Sequence, residues 1–262
     1  MEQLNDLAST FWGSYIGGDY QEVGIQITKK LVNHWGPIRK VYGSKYFPIN
    51  KPYRGEITAD EFEQIVRENI EQGYYQLFES TFYNPTVTDE VYVNRLKISK
   101  RIMVIEEYEG SRPFQTEDPN INRQRTEQLL EVMVDIAHIP EVRELWVGDK
   151  WSAFIGEPCF LYRPWELYEK VQDTSANLTV KDEVLELTKK FQQYVPQEVV
   201  MNYLIRELGE QNVNEIGSGK IQVQFYEEEL MNRTIDVDAF LKEFQEYIDG
   251  YMKEKGIRLL ES

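Results

Sequence analysis

The sequence contains one cysteine and two histidines, which are the residues best suited to act as a nucleophile or a base. Cys159 lies in a segment rich in proline and aromatic residues, which predicts a buried, unreactive thiol. His34 falls on the apolar stripe of a predicted helix, and its spacing from Cys159 and His138 matches no catalytic pair. We therefore predict no catalytic residues and no enzyme activity, and a single cysteine excludes an intrachain disulfide framework.

The run Gly217-Ser218-Gly219-Lys220 contains part of a phosphate-binding loop pattern. That pattern also requires an earlier glycine, where Asn214 stands, and a serine or threonine after the lysine, where Ile221 stands. Alternating apolar and polar residues then predict a strand with one solvent-exposed face over 220–226, whereas the phosphate site needs a helix there. We expect a hairpin turn, and we predict no cofactor.

Two acidic groups could in principle bind a divalent cation. Asp236 and Asp238 are better explained as the N-cap and a first-turn acid of a helix. Glu106, Glu107 and Glu109 follow a predicted strand, where charged residues ordinarily form a solvated edge. Neither group has the further ligands that a metal site requires, so we predict no metal site.

Charge is distributed unevenly along the chain, and this is the strongest functional signal in the sequence. The whole chain has 29 Lys+Arg against 45 Asp+Glu, for a net charge of −16. Residues 1–55 carry seven bases and four acids (+3), so the remainder carries 22 bases and 41 acids (−19). Residues 23–55 contain no acid at all. Prolines and glycines interrupt residues 36–55, which predicts neither a long helix nor an inner strand but an extended basic arm.

The basic arm and the helix before it supply the predicted partner-binding residues. These are Lys29, Lys30, Trp35, Arg39, Lys40, Tyr42, Lys45, Tyr46, Phe47, Lys51, Tyr53 and Arg54. Interleaved bases and aromatics suit three roles: docking on a protein, packing against the chain's own acidic body, or binding single-stranded nucleic acid. We favour protein docking, because a dedicated nucleic-acid binder is ordinarily basic overall.

Hydrophobic periodicity predicts a helix-rich α+β fold, with roughly seven helices and a few short antiparallel strands or hairpins. The predicted helices cover about 4–16, 19–35, 58–84, 118–138, 179–194, 196–209 and a segment beginning at 236. Strands are predicted within 91–108 and over 220–226, with a hairpin whose turn is Gly148-Asp149. No repeat or long linker is visible, which predicts a single domain over 1–262 with the basic arm at about 36–55.

The first residues lack the basic and apolar regions of a signal peptide, and no apolar run approaches the ~20 residues that span a bilayer. We therefore expect no membrane partner, and we expect the chain to act in the cytoplasm or to be assembled there.

The layout resembles the neck or tail-connector proteins of tailed bacteriophages. The resemblance lies in a predicted N-terminal helix pair (4–16 and 19–35), an extended arm (36–55), a hairpin near 217–225 and further helices. It implies a non-enzymatic structural protein of the virion, a homo-oligomeric ring assembled in the host cytoplasm with other assembly proteins. It also implies that double-stranded DNA passes through the ring with weak contact at most.

Two alternatives stay open at this point. An acidic intracellular inhibitor of the DNA-mimic type would carry carboxylates spaced like phosphates on one face. A hydrolase that uses only carboxylates is the other, because paired acids leave no sequence signature. It would show a concave pocket lined by close acid pairs with shifted pKa values.

Overall fold

The computed structural model describes residues 11–16, 20–43, 53–71, 78–83, 93–98, 102–107, 119–147, 153–162, 178–225 and 236–259. Within these ranges the chain forms seven α-helices and ten strands, so the predicted α+β class is confirmed. The helices are α1 Tyr20–Trp35, α2 Ala59–Glu71, α3 Pro119–Ala137, α4 Pro158–Leu161, α5 Leu178–Tyr194, α6 Gln197–Leu208 and α7 Val237–Glu254. The strands are β1 Phe11–Ile16, β2 Ile38–Gly43, β3 Tyr53–Ile57, β4 Phe78–Tyr83, β5 Val93–Ile98, β6 Ile102–Glu107, β7 Val142–Val147, β8 Ala153–Gly156, β9 Val213–Gly217 and β10 Lys220–Gln224.

All ten strands belong to one antiparallel sheet, which is larger than the few short strands that the sequence predicts. Their order is β3-β2-β4-β5-β6-β1-β7-β8-β10-β9. β1, from the start of the chain, lies between β6 and β7 and joins strands that are distant from it in sequence. The sheet therefore connects the basic N-terminal part of the chain with the acidic remainder.

The sheet separates two hydrophobic cores, and the β7–β8 hairpin contributes to both. Leu145 and Ile155 pack into a core with α1, α2 and α3. Trp146 and Phe154 point the other way, with ring centroids 4.8 Å apart, into a core with α4, α5, α6 and α7. Alternation of side chains along a strand produces this arrangement, because successive residues face opposite sides of a sheet.

The prediction of a helix over 4–16 is wrong for residues 11–16, which form β1. Five registered pairs join β1 to β6, from Phe11–Glu106 to Tyr15–Ile102, and further pairs join it to β7. Hydrogen bonding on both edges satisfies the β1 backbone in a way that outweighs the local helical spacing. The second predicted helix, over 19–35, is confirmed as α1.

The basic arm also differs from its prediction, because part of it is an inner strand. β2 pairs with β3 on one side and with β4 on the other. The glycines and prolines lie at the ends of this strand, at Gly36-Pro37 and Gly43, so they bound it without interrupting it. Residues 44–52, which we call the arm tip, lie outside the described residues.

The helix predicted over 58–84 begins where predicted, but the observed helix is shorter at its C-terminal end. Glu61 accepts from the Thr58 backbone N–H at 2.7 Å and donates its own N–H to Thr58 Oγ1 at 3.2 Å, which forms the predicted capping box. The helix ends at Glu71, and the aromatic residues of Phe78–Tyr83 form β4 instead. Aromatic residues favour strands as readily as helices when they pack in a sheet.

The C-terminal half follows the sequence closely. α3, α5, α6 and α7 lie where predicted, and Asp236 caps α7 by accepting from the N–H groups of Asp238 and Ala239. β9 and β10 form the hairpin predicted around Gly217-Ser218-Gly219. β7 and β8 also pair, as the predicted hairpin requires, and its predicted turn at Gly148-Asp149 lies outside the described residues.

Candidate functional site

The predicted partner-binding residues Lys29 and Lys30 form ion pairs within the chain. Lys29 Nζ lies 2.6 Å from Glu63 Oε2 on α2, and Lys30 Nζ lies 2.6 Å from Asp135 Oδ1 on α3. The hydrogen bond with Glu63 raises the pKa of Lys29 and, together with one from Arg67, lowers the pKa of Glu63. These contacts tie α1 to its two neighbouring helices.

The other predicted residues follow the chain from α1 into the sheet. Trp35 is the last residue of α1, and Arg39, Lys40 and Tyr42 lie in β2. Tyr53 and Arg54 begin β3, which is the first strand in the sheet order. Lys45, Tyr46, Phe47 and Lys51 belong to the arm tip, outside the described residues. Arg39, Lys40 and Arg54 therefore lie in two paired strands at one end of the sheet, where Lys40 faces Arg54 in the β2–β3 register.

An open groove lies between α3 and β10. We call it the acidic groove. It has a volume of about 520 Å³ and is lined by Glu127, Leu130, Glu131, Val134, Asp135, His138 and Gln222. Its inner wall is apolar, because Leu130 is buried and Val134 is half-buried. Glu127 and Glu131 are exposed one helical turn apart at its rim.

Asp135, at the end of this acidic row, is already neutralised. Its second oxygen lies 3.2 Å from His34 Nε2, in addition to the Lys30 contact. Burial alone would raise the pKa of Asp135, but hydrogen bonds from Lys30 and His34 outweigh that effect and lower it. The unpaired negative charge of the groove therefore comes from Glu127 and Glu131, for which the described residues provide no ion pair.

Sequence analysis missed this groove, although a signal was present. Glu127, Glu131 and Asp135 recur at four-residue steps on the predicted helix 118–138, which places them on one face. Gln222 could not have been assigned to the groove, because it is 95 positions away from Glu127 and only the fold brings β10 beside α3.

The phosphate-loop lysine has a structural role. Lys220 is buried, and its ammonium donates to the carbonyl oxygens of Ala137 at 2.6 Å and Ile139 at 3.0 Å. It thereby caps the C-terminal end of α3, where carbonyl groups carry partial negative charge. Burial lowers the pKa of Lys220. The solvent-exposed face predicted for β10 is present only at its end, because Gln222 is buried and Gln224 is half-buried.

Two acids of the described residues are buried, Glu144 and Glu157. Glu157 accepts from Arg143 Nη1 at 2.5 Å and from Gln192 Nε2 at 2.9 Å. Glu144 accepts from the indole N–H of Trp146 at 2.9 Å. Each carboxylate is therefore bonded to a donor of its own, which is the usual way in which folds satisfy buried charge.

Cys159 is buried beside Thr188, and burial raises the pKa of its thiol well above the ordinary range. A thiol in that state is a poor nucleophile. A search of the described residues finds no group of three His, Cys, Asp or Glu side chains able to hold a metal ion. The same residues contain no helix with the length and apolar character to cross a bilayer.

A second cavity, of about 470 Å³, lies beside the end of α7. Tyr162 donates a short hydrogen bond to Asp249 at its edge, and Lys253 and Arg258 contribute positive charge. Burial raises the pKa of Tyr162, and the hydrogen bond to Asp249 adds to the effect. The phenol therefore stays protonated at neutral pH and acts as a donor.

Comparison with known proteins gives no family assignment. No protein-family model matches the chain. No curated protein matches it either. Among solved structures, the Pseudomonas aeruginosa T6SS protein PA0821 aligns with a TM-score of 0.31 and 11% identity, over 53% of this chain. The alignment covers 42% of the length of that structure, and a similarity at this level carries no argument about function.

Proposed function

We propose that this protein is a non-enzymatic assembly subunit that forms a homo-oligomer through its basic arm. The observation that carries the proposal is the separation of charge in the fold. Arg39, Lys40 and Arg54 lie in the β2–β3 pair at one end of the sheet. Glu127 and Glu131 lie on α3, which packs against α1 as well as against β7 and β8. A basic surface and an acidic surface on the same chain can meet between two copies, where charge complementarity sets the orientation of the contact.

The proposed partner contact uses fewer basic residues than the sequence predicts. Lys29 and Lys30 pair with Glu63 and Asp135 of the same chain, so they fasten α1 and contribute little to a partner contact. In the β2–β3 register Lys40 faces Arg54, so the backbone pairing sets two bases opposite each other.

A contact between two different surfaces is heterologous, and heterologous contacts close into rings when the rotation between copies allows it. A ring is the arrangement of the phage neck and tail-connector proteins that the sequence layout resembles. We accordingly propose a virion ring component, assembled with other structural proteins and contacting DNA only by passage. Two parts of the resemblance are lost, because β1 replaces the end of the first predicted helix and the inner strand β2 replaces part of the extended arm.

The test is the mass of the protein in solution, measured by sedimentation velocity across a range of concentrations and at low and high salt. The wild-type chain should sediment as an oligomer. Its association should weaken with salt, since screening reduces contacts between exposed charges. A variant with all five arm bases changed to glutamate should be a monomer, and the changes are Arg39→Glu, Lys40→Glu, Lys45→Glu, Lys51→Glu and Arg54→Glu.

A matched control carries the same change in net charge on exposed lysines of α5, of α7 and of the residue that follows α7. Its substitutions are Lys189→Glu, Lys190→Glu, Lys242→Glu, Lys253→Glu and Lys255→Glu. This control should assemble like the wild type, with an unchanged circular dichroism spectrum in both variants. A wild-type protein that is monomeric at all concentrations, or an arm variant that still assembles, contradicts the proposal.

A further inference from the structure

We propose that the acidic groove is the receiving site for the arm tip of a neighbouring copy. This inference rests on the proposed function, because it identifies the surface that the basic arm contacts. The groove is lined by α3 residues on one side and by Gln222 of β10 on the other.

The groove has the composition expected of a site for a basic, aromatic peptide segment. Leu130 and Val134 offer apolar surface, and Gln222, which is only 8% exposed, offers an amide that can both donate and accept. Glu127 and Glu131 supply two exposed carboxylates at the rim, about 6 Å apart along the helix axis. Apolar surface with polar groups at its edge is the usual anatomy of a protein interface.

The arm tip has the complementary composition. Its nine residues contain two lysines, Lys45 and Lys51, no acid, and the two adjacent aromatics Tyr46 and Phe47. Two positive charges thus match the two unpaired carboxylates of the groove. Pro48 and Pro52 fix two backbone φ angles of the segment, which lowers the entropy lost on binding.

The fold favours a second copy over the same chain as the source of the arm tip. β2 and β10 are separated by β4, β5, β6, β1, β7 and β8 in the sheet. Seven steps of about 4.8 Å make roughly 34 Å measured along the sheet. The nine residues leave from β2 and return to its neighbour β3, so they extend at most about 15 Å from the sheet. The ends of the arm tip are thus held seven strand positions away from β10, which favours the groove of a neighbouring copy.

Two paired charge reversals test the inference by sedimentation velocity. The groove variant is Glu127→Lys with Glu131→Lys, and the arm-tip variant is Lys45→Glu with Lys51→Glu. Each should lower the association constant at least tenfold. A one-to-one mixture should recover assembly, because every arm tip then meets a groove of opposite charge on the other variant. Glu243→Lys with Glu246→Lys, two exposed acids on α7, is the matched control and should leave association unchanged.

A crosslink distinguishes the second copy from the same chain. Lys51→Cys and Glu131→Cys are introduced in separate proteins, mixed and oxidised, and Cys159 is too buried to compete. A disulfide-linked dimer that contains both proteins is the expected product. A chain carrying both cysteines that crosslinks only to itself, and runs as a monomer, overturns the inference.

The two proposals fail differently. A monomeric wild-type protein overturns both the assembly function and the receiving groove. A wild-type oligomer that the arm-tip variant disrupts and the groove variant does not would leave the assembly function standing and overturn the groove. An absence of recovery on mixing would also overturn the groove.

Discussion

Lys30 on α1 and Asp135 on α3 are joined by a hydrogen-bonded ion pair of 2.6 Å across 105 positions of sequence. His34, one turn after Lys30, contacts the other oxygen of the same carboxylate. Asp135 thus holds α1 by two side chains and fixes the helix that leads into β2. The sequence predicts that Lys30 binds a partner, whereas the structure shows that it holds two helices of the same chain together.

The first prediction concerns pH and this carboxylate. The folded-state pKa of Asp135 is lowered, so its contribution to stability is present above its unfolded value of 3.8 and is lost as pH falls through the folded value. Asp135→Asn should therefore be less stable than the wild type at pH 7, by up to about 1 kcal/mol because the pair is partly exposed. Urea unfolding from pH 7 down to pH 3 should show this difference shrinking. A gap that widens in acid would contradict the prediction.

The second prediction uses two glycines with opposite surroundings. A Cβ on Gly156 would lie 2.4 Å from the Arg143 carbonyl oxygen and 2.7 Å from Glu144 Cα, and both belong to a paired strand that cannot move aside cheaply. Gly156→Ala should cost about 3 kcal/mol. Gly250, inside α7, has nothing within 4 Å of its Cβ position. Gly250→Ala should stabilise the protein by about 0.5–1 kcal/mol.

Thermal and urea unfolding of the two variants, measured side by side, provide the check. Equal changes in the free energy of unfolding would contradict the prediction that a Cβ at Gly156 meets steric crowding.

The third prediction concerns the cap of α7. Asp236 accepts from two backbone N–H groups, at 3.1 Å and 3.2 Å, that have no partner inside the helix. Asp236→Ala should cost about 1 kcal/mol, while Asp236→Ser keeps an acceptor and should cost less than half of that. Urea midpoints of the two variants give the comparison, and equal losses would argue that the side-chain oxygen is not the source of stability.

The fourth prediction concerns Lys220. Lys220→Met keeps the unbranched shape of the side chain but leaves the carbonyls of Ala137 and Ile139 without their donor, which should cost about 1–3 kcal/mol. Lys242→Met, at an exposed lysine on α7, should change stability by no more than about 0.5 kcal/mol.

The same variant has a pH signature. Burial lowers the folded-state pKa of Lys220, so the unfolded chain binds more protons between that value and 10.5. The wild type should therefore gain stability relative to Lys220→Met as pH rises through this window. Guanidinium unfolding at pH 7 and pH 10 measures the difference, and a gap that narrows at pH 10 would contradict the assignment.

Local signals in the sequence predicted those parts of the fold that local interactions determine. The Thr58–Glu61 capping box, the Asp236 cap and the turn at Gly217-Ser218-Gly219 all depend on residues within a few positions of one another. Each could be predicted from the sequence, because the backbone groups find their hydrogen-bond partners within a few residues.

The parts of the fold that depend on residues distant in sequence could not be predicted from local patterns. β1 has the spacing of a helix, and only its pairing with β6 and β7 makes it a strand. The alternation of residues in β10 predicts a solvent-exposed strand face. In the fold, Lys220 on this face bonds to the end of α3, and Gln222 lies beside the same helix. The acidic groove has the same origin: its acids are periodic in the sequence, but its far wall comes from another part of the chain.

The β7–β8 hairpin supplies a wall to each hydrophobic core, with Leu145 and Ile155 on one side and Trp146 and Phe154 on the other. Neither half of the protein can then lose its packing without exposing apolar side chains of the other. The chain should accordingly melt in one cooperative step, although its length would permit two separate domains. Truncation just before β7 should leave an N-terminal fragment that aggregates rather than folds, because its core would lack one side.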